Sequence, residues 1–162
     1  MKLVVADTGP LNYLIQIGHV SVLRLLTDRV VLPSLVAEEL CAEGAPVVVR
    51  DWAAALPDWV AVLNATFAQI QPEISRADGE GIALALELDA VLLMDDRRAR
   101  AAARRRGVVT IGTLGILEVA AAKELISLPE AIGHLRNTNM FMAESLLADA
   151  LARDRRRKGD AG

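Results

Sequence analysis

LVVADTGPLNYLI, residues 3–15, begins as a strand and ends as a helix. Leu3–Ala6 is a short apolar, β-rich run, and the residues behind it, Asp7, Thr8 and Gly9, are turn formers. Pro10 stands where a first helical residue would, and Leu11, Leu14 and Ile15 follow at helical spacing. The unit of strand, acid and helix then recurs. Residues 91–94 (VLLM) form an apolar strand ending in Asp95–Asp96, and an arginine-rich helix is expected over 97–106. Arg29–Leu32 is a strand candidate that leads through Pro33 and Ser34 into a helix carrying Glu38 and Glu39, stopped by Gly44. Further strands are expected at 59–63 and 108–111, and helices at 20–26, 46–56, 81–88, 113–125, 129–135 and 143–153. Short strands alternating with helices predict an α/β fold with a largely parallel sheet.

Composition agrees. With 53 % apolar and 24 % charged residues the chain is globular rather than disordered. Only 3 % is aromatic, so the core must be aliphatic, which suits helices packed on a buried parallel sheet. The 162 residues fit one domain, expected over 1–153, followed by a disordered basic tail at 154–162. A net charge of −3 excludes a protein that coats nucleic acid over its whole surface, though not a local basic patch. The single Cys41 cannot form an internal disulfide, which points to a reducing cytoplasm. Asp7 cuts short the first apolar run, so no signal peptide is expected, and no stretch is apolar enough to span a bilayer.

The acids fall where chemistry is expected. Asp7 closes the first strand, and Asp95 and Asp96 close a later one. In open parallel sheets the carboxyl ends of the strands line the crevice that binds ligands. Glu39, on the helix after the second strand, and Asp78 and Glu80, at a helix start, are placed to lean into the same crevice. Carboxylates forced together repel unless a cation joins them. An all-oxygen set without Cys or His selects Mg2+ or Mn2+ over zinc. Such a site activates water and neutralises charge at a phosphate undergoing displacement. Each acid also has a plainer reading. Asp7 and Asp78 suit helix caps, Glu38 an exposed helix face, and Asp95–Asp96 the turn before a helix N-terminus. Their joint placement is what independent capping does not require.

These stretches resemble the PIN-domain nucleases, including the toxin members of prokaryotic toxin–antitoxin pairs. VVADTGPLNYLIQIG is similar to the first PIN motif and carries Asp7. LPSLVAEEL resembles the second and matches the family's glutamate to Glu39. DGEGIALALELDAVLLMDDRRAR resembles the third and fourth, and GVVTIGTLGIL the following strand and helix. The resemblance implies a three-layer sandwich with helices on both faces of a parallel sheet, an Mg2+ or Mn2+ cofactor, and hydrolysis of RNA. It implies Asp7, Glu39, Glu80 and Asp96 as the acids of the metal site, with Asp78 and Asp95 as further candidate ligands. Glu80 is preferred to Asp78 for its spacing to Ile82 and Ala85. The chain departs from the pattern at Met94, where many relatives carry a threonine, and so loses a hydrogen bond at the site. That departure favours the rival reading, a catalytically weak PIN-like protein that binds RNA or a protein partner without cleaving it.

Two other classes fit poorly. The Asp7–Thr8–Gly9 triplet matches the aspartic-protease signature, but the chain turns helical at Pro10 instead of staying β-rich. A phosphorelay receiver wants its acid pair on the first strand, and here the pair comes late. The helix after Asp96 carries Arg97, Arg98 and Arg100, whose planar forks suit an RNA backbone beside the acids. A protein antitoxin partner follows from the resemblance. A homodimer is expected from the apolar helices at 20–26 and 143–152.

Overall fold

The computed structural model of the chain describes residues 1–68 and 71–160. Every strand pairing is parallel. The order of elements is β1 (Leu3–Ala6), α1 (Thr8–Gln16), α2 (Val22–Leu26), β2 (Arg29–Leu32), α3 (Ser34–Cys41), α4 (Val47–Ala54), β3 (Val60–Val62), α5 (Arg76–Leu88), β4 (Val91–Leu93), α6 (Arg97–Arg105), β5 (Thr110–Ile111), α7 (Thr113–Ala122), α8 (Leu128–Arg136) and α9 (Glu144–Asp160). The strands form one sheet in the order β3-β2-β1-β4-β5. The fold is therefore α/β, a five-stranded parallel sheet flanked by helices, as the sequence predicts.

The sheet is sealed on both faces. Val4, Val5 and Ala6, and Val30, Val31 and Leu32, are buried without alternation, the pattern of a central parallel strand. On one face Val5, Val31, Leu92 and Met94 pack with Ile82 and Ala85 of α5 and with Ala99, Ala102 and Ala103 of α6. Small residues let these helices lie close: the Cβ position of Gly81 is 3.5 Å from Leu92 Cδ1. Leu92→Ala, at a fully buried position, is expected to cost about 2–5 kcal/mol. Urea unfolding should show a lower midpoint at an unchanged slope.

Where the sequence predicts one domain over 1–153, the chain gathers into two compact units, Met1–Thr113 and a second from Leu114 onward. The sheet lies wholly in the first. In the second, Arg153 of α9 holds Glu118 with two bonds of 2.7 and 3.1 Å, and Arg136 of α8 holds Glu144 at 3.0 Å.

Two boundaries differ from expectation for identifiable reasons. Helix α1 starts at Thr8, so Pro10 is its third residue and not its first. Proline is tolerated there because first-turn N–H groups lack an intrahelical acceptor. The residues predicted to form a disordered tail from 154 instead continue α9 as far as Asp160, with 161 and 162 outside the described residues. The cause is Asp154, which is buried and takes Lys158 at 2.8 Å and Arg157 one turn on. Burial alone would raise its carboxyl; the two cations outweigh that and hold it below the usual range. The basic run expected to be disordered thus carries its own counter-charge at helical spacing.

Candidate active site

The sheet order makes the site. The chain runs from β1 outward to β2 and β3, then crosses back to place β4 on the other side of β1. The crevice between β1 and β4 is thus the switch point of the sheet, where ligands enter α/β folds. Ala6 pairs with Leu93 at the carboxyl end. Asp7 follows directly, and its N–H donates to the Leu93 carbonyl at 3.0 Å. Asp95 and Asp96 leave β4 two and three residues beyond Leu93.

Electrostatics identifies which acids share this crevice. The Asp7 carboxyl is pushed up to about 7 from 3.8, chiefly by burial and then by the charge of Asp78. Glu39 and Asp95 add to the rise, and the Thr8 N–H opposes it. Asp78 is also raised, by burial first and by Asp96 and Glu39, against hydrogen bonding from Ser75. Asp7, Glu39, Asp78, Asp95 and Asp96 therefore form one mutually repelling group, as expected for acids awaiting a cation.

Glu80 is not among the chief influences on the Asp7 or Asp78 carboxyl. It lies two residues beyond Asp78 on α5, and residues at that spacing point to different sides of a helix. Its Oε2 is buried with no hydrogen-bond partner among the described residues. Glu80 and Asp78 thus differ in surroundings, the one with a buried unpartnered oxygen and the other among the repelling acids. Asp78 keeps a capping role as well: Ser75, the N-cap of α5, accepts the Asp78 N–H at 3.1 Å, and hydrogen bonding from Ser75 to the Asp78 carboxylate opposes its rise.

The other acids are partly committed. Asp96 is the N-cap of α6, with one oxygen accepting the Ala99 N–H at 2.9 Å. Asp95 accepts both the N–H and the hydroxyl of Thr113, at 2.7 and 2.6 Å. The Thr8 hydroxyl donates a short hydrogen bond to Glu39 Oε2, tying α3 to the residue after Asp7. Asp7 itself makes no cap bond, although it holds the N-cap position of α1. Met94 is fully buried in the core. The hydroxyl bonded to Asp95 is that of Thr113, eighteen residues on. Thr8, Ser75 and Thr113 escape a search for acids. The signal was present in each case, as a hydroxyl residue at the start of a helix.

The arginines divide. Arg97 and Arg98 are exposed at the start of α6, and neither enters an ion pair among the described residues. Arg100 is half-buried and turns inward, with its Nη1 against Gly112 beside Asp95. It does not fit the surface track expected of it. Trp52 and Trp59 stand with ring centroids 6.3 Å apart, tilted at 56°, and so pack on each other.

Among the described residues no three His, Cys, Asp or Glu side chains are grouped closely enough to grip one ion directly. The donor chemistry is all oxygen, and it fits a cation held by one or two carboxylates and otherwise through water, as Mg2+ prefers. No helix among the described residues is long and apolar enough to cross a membrane.

In structure the chain is similar to a PilT N-terminus domain protein from the hyperthermophilic archaeon Sulfolobus solfataricus P2. The match has a TM-score of 0.52 and 17 % identity, and it covers 73 % of this chain and 92 % of that one. At such identity the likeness shows the fold. No curated protein matches the chain in sequence. The DUF3368 family, described as a PIN domain, matches residues 3–155. That match spans both the acids at the carboxyl ends of β1 and β4 and nearly all of the chain, which belongs to the PIN-domain family.

Proposed function

We propose that this PIN domain is an Mg2+- or Mn2+-dependent endoribonuclease whose working acids are Asp7, Glu39, Asp78 and Asp96. The observation that carries the reading is the gathering of five carboxylates at the switch point of the sheet, where burial first and the neighbouring acids second push Asp7 up to about 7. Repulsion of that kind destabilises a fold and persists where function repays it. A bound divalent cation supplies a more acidic water and neutralises charge building on the phosphate. The protein's own part is placement. Asp7 and Asp78 attract the cation, and Thr8 keeps Glu39 turned toward it. Asp96 keeps one oxygen free after capping α6. Arg97 and Arg98 hold the phosphate backbone next to the acids.

Asp95, with both oxygens on Thr113, serves as a support. Arg100, beside Asp95 at Gly112, belongs with that support rather than with the phosphate contacts. A toxin held by an antitoxin is the context in which the resemblance would set this activity. The homodimer expected with it would rest on the exposed Leu25 and Leu146. Light scattering reads its mass directly.

A single-stranded RNA incubated with the purified chain tests the proposal. Cleavage is expected with Mg2+ or Mn2+, ceasing with chelator and returning when the metal is restored. Metal-independent cleavage, or none with either ion, overturns it.

A further inference from the structure

Two adjacent acids serve two different helices. Asp96 caps α6 through the Ala99 N–H. Asp95 reaches the first residue of α7, taking the Thr113 N–H on Oδ1 at 2.7 Å and the Thr113 hydroxyl on Oδ2 at 2.6 Å. Both bonds are short, as bonds to an ionised acceptor are. Thr113 is fully buried. The residue before it must be glycine for the clamp to close: a Cβ on Gly112 would lie 2.9 Å from Asp95 Oδ1 and 3.0 Å from Arg100 Nη1. Asp95 is thus seated on both oxygens in a niche that admits no further side-chain atom. A carboxylate held this way has little freedom to turn, and its backbone is one peptide bond from Asp96.

We propose that Thr113 is a positioning residue for the acidic group. By holding both oxygens of Asp95 it fixes the turn between β4 and α6, and with it the direction in which Asp96 presents its second oxygen. The inference rests on the reading of the group as a cation site. It makes Asp95 the anchor and Asp96 the ligand, a division the sequence leaves open. Outer partners of this kind orient the groups that touch a metal and set how well they bind it.

Thr113→Val keeps the shape and the N–H bond but removes the hydroxyl, and Thr113→Ser restores it. One readout needs no cation: amide exchange at Ala99, whose N–H is held by Asp96. The other is Mn2+ affinity by calorimetry. In Thr113→Val, Ala99 is expected to exchange about tenfold faster, the loss of roughly one hydrogen bond's protection. Mn2+ affinity is expected to fall roughly 10–100-fold. Thr113→Ser should return both to wild-type values. Gly112→Ala leaves the hydroxyl in place but crowds Asp95 off it, and it should reproduce both changes by a separate route even if Thr113→Val fails to fold. A folded Thr113→Val with a lower melting temperature but unchanged Ala99 exchange and Mn2+ affinity overturns the proposal, because the threonine is then only structural. Wild-type protein that binds no Mn2+ overturns the nuclease reading and the cation-directed part of this inference. Ala99 exchange still decides whether the clamp orders the turn.

Discussion

Asp7→Asn is expected to melt later than wild type above pH 7 without metal, and to cleave RNA about a thousandfold more slowly with it. The two effects share one cause. A carboxyl raised from 3.8 to about 7 costs the fold on the order of 4 kcal/mol once ionised. Asparagine removes the charge while keeping nearly the same shape. The pH dependence follows from linkage. The folded chain keeps the Asp7 proton between about pH 4 and 7, where the unfolded chain has already released it. Wild-type stability should therefore fall as pH rises through that window and level off above it. The variant should be flatter, keeping only the slope due to Asp78, whose carboxyl is also raised. Mn2+ should reverse the ranking by stabilising wild type more than the variant. Charge stabilisation by a cation is worth several kcal/mol at the transition state, hence the thousandfold loss of rate. Thermal melts across pH, with and without Mn2+, together with a cleavage assay, measure all of this. A variant that melts no later than wild type at pH 8 would show that Asp7 carries no strained charge.

The second large effect separates holding RNA from cutting it. Asp96→Asn keeps a good helix cap, since asparagine caps as well as aspartate, so α6 should stay folded. Cleavage should fall by a similar factor of about a thousand, while RNA binding persists or tightens as repulsion falls. The double variant Arg97→Ala, Arg98→Ala should do the reverse. Each lost phosphate contact to a single strand lowers the slope of log affinity against log salt by about 0.7, so the pair should lower it by about 1.4. Weakening should be uniform across sequences, because phosphate contacts carry no base information. Mn2+ affinity should be kept, as neither arginine touches the acids. If Asp96→Asn cleaves at the wild-type rate, the acidic group is not the catalytic centre.

Much of this was legible in the residues. The alternation of apolar strands with helices gave the sheet, and the acids at strand ends gave the crevice, because both are local patterns read along one chain. What escaped was what the third dimension assigns. Asp78 and Glu80 are equivalent in a linear motif, and only the helical turn sets them on different sides of α5. Met94 occupies a site position in the motif but faces the core once the strand pleats. Thr113 and Asp95 meet only because β5 lies beside β4. Arg100 looked like its exposed neighbours until Gly112 left room for it to fold back. The extent of α9 was hidden because a run of charges says nothing of which one is buried.

The C-terminal helix bears on where nucleic acid would adhere. Polycations grip RNA largely by setting free the small ions condensed along it, a gain in entropy. Of the five cations in 153–158, Arg153 already rests on Glu118, and Arg157 and Lys158 on Asp154. Fixed carboxylates are tethered and cannot drift off into solution, so exchanging them for phosphates releases nothing. Three of the five cations are thus encumbered, and Arg155 and Arg156 are left outside any ion pair among the described residues, so the segment is a weaker electrostatic glue than its count suggests.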